Sequence, residues 1–309
     1  MSASHNVIGA DGGGTKTLVV LADEGGRELA RCTVGASNPN VVGIDTAGER
    51  LIEAVRECCG QAGRDIPSVR SAVFGLAGAG NIDNRKGILA RLHAAFGFGF
   101  QAEIVTDARI ALEGAHAGRP GIVVIAGTGS VVCAKTPEGE TVTVGGWGRS
   151  LGDDGSGFFL GMEAAKAVTR ALDGVQVAGR MVEALKERYS WASREQLIQS
   201  VYRDRLELST LAPFVLDAAR GGDTASLEIL RRGAAALAEQ VLVAARSITT
   251  PSIPLATIGG LIDHPTVYRD ILIDEMRKRD SRIRPTFAER HPVDGAVIMA
   301  LEAPRGASA

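Results

Sequence analysis

Short apolar runs alternate with glycine-rich turns over the first third of the chain. Val7–Ala10, Leu18–Ala22 and Glu28–Val34 are short and largely apolar, which predicts three successive strands. Apolar residues then recur at a helical spacing in Asp45–Gly60. Further strands are predicted at Ala72–Ala77 and Glu103–Thr106, with helices near Asn84–Phe96 and at Ala108–Ala117. The predicted order is therefore β-β-β-α-β-α-β-α.

The same order of elements returns in the rest of the chain. The predicted strands are Gly121–Ala126, Val131–Lys135, Thr141–Gly145, Pro254–Ile258 and Arg284–Ala288. The predicted helices are Gly157–Ala171, Val177–Tyr189, Arg194–Asp204, Ser209–Arg220, Thr224–Ser247, Pro265–Lys278 and Val293–Glu302. This duplication predicts two α/β lobes with a cleft between them, the second lobe enlarged by inserted helices.

Length and charge narrow the range of functions. The 309 residues exceed the roughly 250–300 at which a single core stops growing, which favours two domains. The 34 basic and 36 acidic residues leave a formal charge of −2, so we expect no binding of nucleic acid or anionic lipid. The sequence shows neither a signal peptide nor a run of about 18 apolar residues, and we expect a cytoplasmic protein without membrane association. The four cysteines lack metal-ligand spacing and are expected to be reduced.

Two common phosphate-binding motifs do not fit the first glycine turn, Gly12-Gly13-Gly14. A P-loop requires lysine where Thr15 stands, and it requires a helix where Leu18–Ala22 predicts a strand. A dinucleotide-binding turn also leads from a strand into a helix. Neither motif is therefore present at this turn.

The turn is instead a hairpin suited to an anion. Its glycines permit positive φ and bring backbone N–H groups close to a phosphate. Thr15, Lys16 and Thr17 add hydroxyl donors and a cation. Asp11 is interpreted as a carboxylate that holds hydrated Mg²⁺ beside the phosphates.

Two later glycine turns extend this pattern. Gly127-Thr128-Gly129-Ser130 repeats the hairpin without the metal carboxylate. Gly259-Gly260 ends an apolar strand, where a flat ring can lie against bare backbone. Three such turns in this order indicate a nucleotide site more strongly than any one of them.

Six segments together carry a family resemblance. They are Asp11–Thr17, Thr106–Ala108, Gly127–Ser130, Gly145–Gly157, Ile258–Gly260 and Pro292–Val297. In this order and spacing they resemble the N-acetylglucosamine kinase branch of the BadF/BadG/BcrA/BcrD ATPase family, within the actin-like ATPase superfamily. The resemblance implies two ribonuclease-H-like lobes hinged about an ATP cleft, with the last helix returning to the first lobe. The lobes are then residues 1–117 plus 292–309 and residues 118–291.

The resemblance also implies roles for single residues. Asp107 looks like the base that receives the proton of the sugar 6-hydroxyl, although its position alone would equally suit the N-cap of Ala108–Ala117. Trp147 could line the sugar site or belong to the core, and its flanking glycines favour the site. The residues implied for ATP and its phosphates are Gly12, Gly13, Gly14, Thr15, Lys16, Thr128, Gly129, Ser130, Gly259 and Gly260. Those implied for the sugar are Asn38, Asp107, Gly146, Trp147 and Asp153.

The leading expectation is phosphorylation of the 6-hydroxyl of N-acetylglucosamine, with ATP and Mg²⁺ as cofactors. Glucosamine is the nearest rival substrate. An activator-type ATPase with a cluster shared between subunits is a second possibility, although the cysteines lack its pattern. A binding protein that has lost phosphoryl transfer is a third, against which the intact Asp107 argues. A zinc-containing repressor-type sugar kinase is disfavoured because its cysteine-rich loop is missing.

Two further features bear on specificity and assembly. Asp154 and Arg149 depart from the residues usual in the family, which affects the expected sugar specificity and not the phosphate site. Leu230, Ala234 and Leu237 form part of an apolar stripe on Thr224–Ser247. This stripe is expected to serve either packing or contact in a homodimer.

Overall fold

The computed structural model describes residues 5–97 and 99–303. The chain divides into two compact units, Met1–Arg119 with Ala288–Ala309, and Pro120–Phe287. Each unit has its own five-stranded sheet and its own hydrophobic core. The lobe limits predicted from the sequence lie two residues from the first division (117 against 119) and four from the second (292 against 288).

The first unit is a mixed sheet covered by helices. Its strands are β1 (Asn6–Gly12), β2 (Lys16–Asp23), β3 (Glu28–Gly35), β4 (Val69–Leu76) and β5 (Ala102–Thr106). Its helices are α1 (Pro39–Gln61), α2 (Ile82–Phe96), α3 (Asp107–Ala115) and α10 (Pro292–Glu302). The strand order is β3-β2-β1-β4-β5, with β2 antiparallel to its neighbours and β1, β4 and β5 parallel.

Side chains along β2 alternate between two cores on opposite faces of this sheet. Val19 and Leu21 belong to the core that α1 and α2 complete, whereas Val20 belongs to the core that α10 completes. Helix α10 approaches β1 closely at Gly9, where a Cβ atom would lie 2.6 Å from the backbone nitrogen of Val297. The last helix of the chain thus packs on the first sheet, as the resemblance implied.

The second unit repeats this arrangement. Its strands are β6 (Gly121–Ala126), β7 (Ser130–Lys135), β8 (Thr141–Gly145), β9 (Ile253–Ile258) and β10 (Ile283–Thr286). Its helices are α4 (Gly157–Leu172), α5 (Arg180–Tyr189), α6 (Arg194–Ile198), α7 (Ala212–Arg220), α8 (Thr224–Ala245) and α9 (Val267–Arg279). The strand order β8-β7-β6-β9-β10 matches that of the first sheet, and α4 to α8 lie between β8 and β9. The predicted duplication and the inserted helices are confirmed.

Most predicted helices differ from the observed ones by one to three residues at an end, and three others differ in their start or in their form. Helix α1 begins at residue 39 and not at 45, because Asn38 caps it and proline suits the first helical position; Gly43 kinks it with a φ of +81°. The predicted helix Arg194–Asp204 is the short α6 followed by a π-helical turn, Gln199–Arg203. The predicted helix Ser209–Arg220 begins as a 3-10 turn, Leu208–Leu211, before α7.

The apolar stripe on α8 packs inside the second unit. Leu230, Ala234 and Leu237 are fully buried in its core, so this stripe serves packing and is not available to a second copy of the chain. None of the helices within residues 5–97 and 99–303 is both long and apolar enough to cross a membrane.

Candidate active site

The parallel strands of the first unit bring two predicted site segments to one edge of the sheet. Gly12 on β1 pairs with Leu76 on β4, and Leu76 pairs with Thr106 on β5. The carboxyl ends of these strands are therefore level. Asp107 directly follows Thr106, and it lies at the same edge as the glycine hairpin.

The glycine hairpin is built by close backbone contacts. The N–H of Gly13 donates to the carbonyl of Lys16 at 2.9 Å, and the carbonyl of Gly12 accepts from Ala77 at 2.9 Å. A Cβ atom at Gly12 would lie 2.1 Å from the hydroxyl oxygen of Ser37, so glycine is required there. Thr15 and Lys16 are exposed at the tip.

Thr17 does not contribute to the tip of the hairpin. Its side chain is fully buried, its hydroxyl donates to the carbonyl of Gly35 at 2.8 Å, and it lies 2.7 Å from the hydroxyl oxygen of Ser37. The sequence interpretation of Thr17 as a donor at the tip is wrong, because strand alternation turns position 17 inward. Thr17 instead fixes the base of the hairpin.

Asp107 is the first residue of α3 and not its cap. Thr106 is the N-cap, since its hydroxyl oxygen accepts from the N–H of Arg109 at 3.2 Å. The carboxylate of Asp107 accepts from the adjacent Ala108 N–H at 2.9 Å. The alternative that residue 107 caps the helix is therefore wrong, because the preceding residue takes that position.

The environment of Asp107 suits a base. Its side chain keeps an exposed face, yet surrounding protein atoms withdraw enough water to raise the pKa of its carboxyl. The N–H of Ala108 opposes this rise without cancelling it. A carboxylate with a raised pKa accepts a proton more readily than an ordinary aspartate does.

Asp11 lies near the end of β1, and the charge of Asp107 affects its pKa. Desolvation raises the pKa of Asp11, the negative charge of Asp107 raises it further, and the cationic Lys16 lowers it. Two carboxylates that repel one another favour a cation near them. Among the described residues no group of three or more His, Cys, Asp or Glu side chains converges, so a metal here would take most of its ligands from water or substrate.

Asn38 connects the hairpin to the turn after β4. Its N–H donates to the carbonyl of Gly13 at 3.2 Å, and its side-chain oxygen accepts from Asn40 at 2.9 Å. Gly78 has a φ of +84°, and a Cβ atom there would lie 2.4 Å from that side-chain oxygen. The side chain of Asn84 donates to Asn40 and to the Gly78 carbonyl. The sequence pattern did not distinguish Asn40 and Asn84, whose only signal was the asparagine content of the segments after β3 and β4.

In the second unit, the glycine turn Gly127–Ser130 is hydrogen-bonded to residues 154–158. The N–H of Gly157 donates to the Gly127 carbonyl at 2.7 Å, and that of Phe158 donates to the Thr128 carbonyl at 3.1 Å. The hydroxyl of Ser130 donates to the backbone carbonyl of Asp154 at 2.8 Å. The turn and the start of α4 therefore form one structural element.

Asp153 joins this element through its side chain. Its carboxylate accepts from the N–H of Ser130 at 3.3 Å, and a Cβ atom at Gly129 would lie 3.0 Å from it. The residue is buried and has a φ of +60°, which aspartate tolerates better than most residues do. The sequence grouped Asp153 with the sugar residues and did not indicate this contact with the glycine turn.

The third glycine turn lies beside the second. Gly259 has a φ of +103°, and a Cβ atom there would lie 2.4 Å from the Ala126 carbonyl and 3.1 Å from the Gly127 nitrogen. The strands β6 and β9 are parallel neighbours, so these turns share the carboxyl edge of the sheet. Gly260 is exposed at this edge.

The loop that carries Trp147 is open to solvent. Gly145, Gly146 and Gly148 all have positive φ, and the Trp147 side chain is 74% exposed. The alternative that Trp147 belongs to the core is therefore wrong. Arg149 forms an exposed ion pair with Glu207 at 3.3 Å.

Comparisons with known proteins agree with this architecture. Residues 8–300 match the family model described as the BadF/BadG/BcrA/BcrD ATPase family. An N-acetylmuramic acid/N-acetylglucosamine kinase of Clostridium acetobutylicum is 32% identical, over 95% of this chain and 97% of that protein. An N-acetyl-D-glucosamine kinase of Dictyostelium discoideum is 28% identical, again over 95% of this chain and 97% of its own length.

A solved structure extends the similarity to three dimensions. The structure of a candidate N-acetylglucosamine kinase from Chromobacterium violaceum covers 97% of this chain and 99% of its own, with a TM-score of 0.73 and 27% identity. The likeness includes both units.

Proposed function

Because the chain belongs to the BadF/BadG/BcrA/BcrD ATPase family, we propose that it transfers a phosphoryl group from ATP to the 6-hydroxyl of an amino sugar, N-acetylglucosamine. The observation that carries the proposal is the carboxylate of Asp107. It lies at the same sheet edge as the glycine hairpin, and its raised pKa suits a base. Relatives that match nearly the full length are named as kinases of this sugar.

In this mechanism, the oxygen of the sugar 6-hydroxyl attacks the terminal phosphorus of ATP, and the bond from that phosphorus to the bridging oxygen breaks to release ADP. Asp107 accepts the proton of the hydroxyl. The glycine hairpin holds phosphate oxygens through its backbone N–H groups and through Thr15 and Lys16. Asp11 would hold a hydrated Mg²⁺, which would neutralise charge on the phosphates when bound. The repulsion between Asp11 and Asp107 supports the presence of such a cation.

The other proposed ligand contacts are those that the sequence resemblance implies. Phosphate binding is assigned to the turn Thr128-Gly129-Ser130, and the flat adenine ring to Gly259 and Gly260. The remaining sugar contacts are assigned to Asn38 of the first unit and to Gly146, Trp147 and Asp153. The exposure of Trp147 supports this role, since an indole can border the apolar face of a pyranose ring.

The structure disfavours the activator-type ATPase as the alternative. Cys32, Cys58, Cys59 and Cys133 are all buried, whereas a cluster shared between subunits needs cysteines at the surface. Glucosamine remains the rival substrate, because it differs from N-acetylglucosamine only in the acetyl group.

An ADP-release screen over N-acetylglucosamine, glucosamine, N-acetylmannosamine, N-acetylmuramic acid and glucose tests the proposal. We expect N-acetylglucosamine to give the highest kcat/KM and Asp107→Asn to lose about 10²–10⁴-fold in turnover. Asp83→Asn is the matched control, since Asp83 also lies in the first turn of a helix of the first unit. Full turnover in Asp107→Asn, or no sugar-dependent ADP release, would contradict the proposal.

A further inference from the structure

Helix α9 holds a fully buried tyrosine that bonds to a distant loop of the second unit. The hydroxyl of Tyr268 donates to the backbone carbonyl of Gly155 at 2.7 Å. Burial raises the pKa of Tyr268, so the hydroxyl keeps its proton and remains a donor. A buried carbonyl that loses such a partner is left without a hydrogen bond, and this cost favours movement of the loop.

Gly155 and Gly233 make room for this hydroxyl. Gly155 has a φ of +73°, and a Cβ atom there would lie 2.6 Å from the Gly233 carbonyl. A Cβ atom at Gly233 would lie 2.7 Å from the Tyr268 hydroxyl oxygen and 3.1 Å from the Cα of Gly155. The three residues interlock, which leaves the loop little freedom to shift while the hydrogen bond is present.

Gly155 lies two residues after Asp153 in the chain. The N–H of Ser156 donates to the Asp153 carbonyl at 3.1 Å, and Ser156 caps α4 by accepting from Phe159. The Asp153 carboxylate in turn accepts from Ser130 at 3.3 Å. A displacement of Gly155 would therefore move the Asp153 side chain relative to the glycine turn.

The N-cap residue of α9 contacts the segment that follows the third glycine turn. The hydroxyl of Thr266 donates to the Leu261 carbonyl at 2.9 Å, and Ile262 donates to the Gly259 carbonyl at 2.8 Å. The N-terminal end of α9 thus fixes the segment after β9 through its N-cap, Thr266, and the segment before α4 through Tyr268. These two segments carry residues assigned to adenine and to the sugar, respectively.

We propose that Tyr268 is a positioning residue whose hydroxyl, through Gly155, holds the Asp153 carboxylate in the geometry that binds the sugar. This inference rests on the proposed function. Tyr268 touches no substrate, and its effect is exerted through the loop. The pairing of Ala126 with Ser130 between β6 and β7 continues to support the Gly127–Ser130 turn when the hydroxyl is lost, whereas Asp153 lies in no strand. We therefore expect loss of the hydroxyl to affect the sugar more than ATP.

The test compares the wild-type protein with Tyr268→Phe and with Tyr189→Phe. Tyr189 is the matched control, because it belongs to the same unit and its hydroxyl lies 3.5 Å from that of Thr210, outside the site. For Tyr268→Phe we expect kcat/KM for the sugar to fall about tenfold, equivalent to about 1.4 kcal/mol, chiefly through a higher KM. KM for ATP should change by less than about twofold, and Tyr189→Phe should match the wild type.

Hydrogen exchange provides a readout that does not depend on turnover. In Tyr268→Phe, amides of residues 153–157 should exchange faster, while those of β6 and β7 should not. Gly233→Ala is a second variant, which retains the hydroxyl but displaces it, and it should produce the same pattern.

The outcomes separate the two proposals. A lower melting temperature of Tyr268→Phe with unchanged KM for the sugar and unchanged loop exchange would overturn the positioning role. If the wild-type protein phosphorylates no amino sugar, the proposed function fails. Hydrogen exchange of the amides of residues 153–157 is then the measurement that decides whether Tyr268 positions this loop.

Discussion

The proposed role of Asp107 as a base would come at the expense of fold stability. Its raised pKa means that the folded chain binds a proton more tightly than the unfolded chain does. The stability associated with this group is therefore present at acid pH and is lost as pH rises through the folded pKa. At neutral pH, the ionised form that can act as a base is the form that the fold stabilises less.

The first prediction concerns the pH dependence of the kinase reaction. Because the base must be ionised, kcat/KM should fall as pH drops through the pKa of Asp107, and the midpoint should lie above 3.8, the ordinary aspartate value. The measurement is kcat/KM for the sugar between acid and neutral pH. Activity that returns on readjustment to neutral pH excludes acid unfolding, and a midpoint at or below the ordinary value would contradict the assignment.

The second prediction concerns Asp11 and Mg²⁺. Asp11→Asn retains the side-chain shape but removes the charge that is proposed to hold the hydrated ion. We expect turnover to fall about 10–100-fold and the Mg²⁺ concentration at half-maximal rate to rise. The melting temperature should not fall, since the repulsion from Asp107 is relieved. A Mg²⁺ titration that matches the wild type would show that Asp11 does not serve the metal.

At the scale of elements, the glycine hairpin depends on close contacts that a side chain would prevent. The third prediction is that Gly12→Ala raises KM for ATP at least about tenfold, because its methyl group would displace Ser37 and Leu76 from the base of the turn. Gly60→Ala is the control, since a Cβ atom at that helical position meets nothing within 4 Å. The control should leave KM unchanged and stabilise the fold by about 0.4–1 kcal/mol. Similar ATP affinity in both variants would argue against a role for the hairpin.

Local patterns predicted most elements, but they could not predict contacts between distant segments. The strands β6 and β8 have the predicted bounds, because a change from apolar runs to turn residues marks their ends. The bond between Ser130 and Asp153 spans 23 positions, and that between Tyr268 and Gly155 spans 113. Neither hydrogen bond leaves a periodic signal in the sequence. The capping of α3 by Thr106 was missed because threonine and aspartate stand side by side and both suit an N-cap.

At the scale of the whole molecule, the duplicated order of elements predicted two similar sheets, and the structure has them. Only the sequence resemblance predicted that α10 returns to the first unit, because the pattern of α10 itself does not indicate which sheet it covers. Helix α10 packs on β1 and crosses α3 at Gly295, where a Cβ atom would lie 2.0 Å from the Ile110 carbonyl. The first unit is consequently built from both ends of the chain.

The fourth prediction follows from this discontinuous unit. A chain ending at residue 287 lacks α10 and exposes the core around Val7, Val20 and Val73. Loss of the buried Val293 and Val297 alone removes about 3–6 kcal/mol of stabilising free energy from apolar burial. This is a large part of the roughly 5–15 kcal/mol by which a typical domain is stable. Amides of β1 and β2 should therefore lose protection from hydrogen exchange, and sugar-dependent ADP release should disappear.

The second unit serves as the internal control for the shortened chain. Its core contains residues from β6, α4 and α8 but none from α10, so its amides should keep their protection. Gly295→Ala in the full-length chain tests the same contact without truncation, since the added methyl group would push α10 away from α3. In this variant, only the amides of the first unit should lose protection from hydrogen exchange. Retained protection of β1 in both proteins would mean that the first sheet does not depend on α10, and uniform loss across both units would mean that the units do not fold separately.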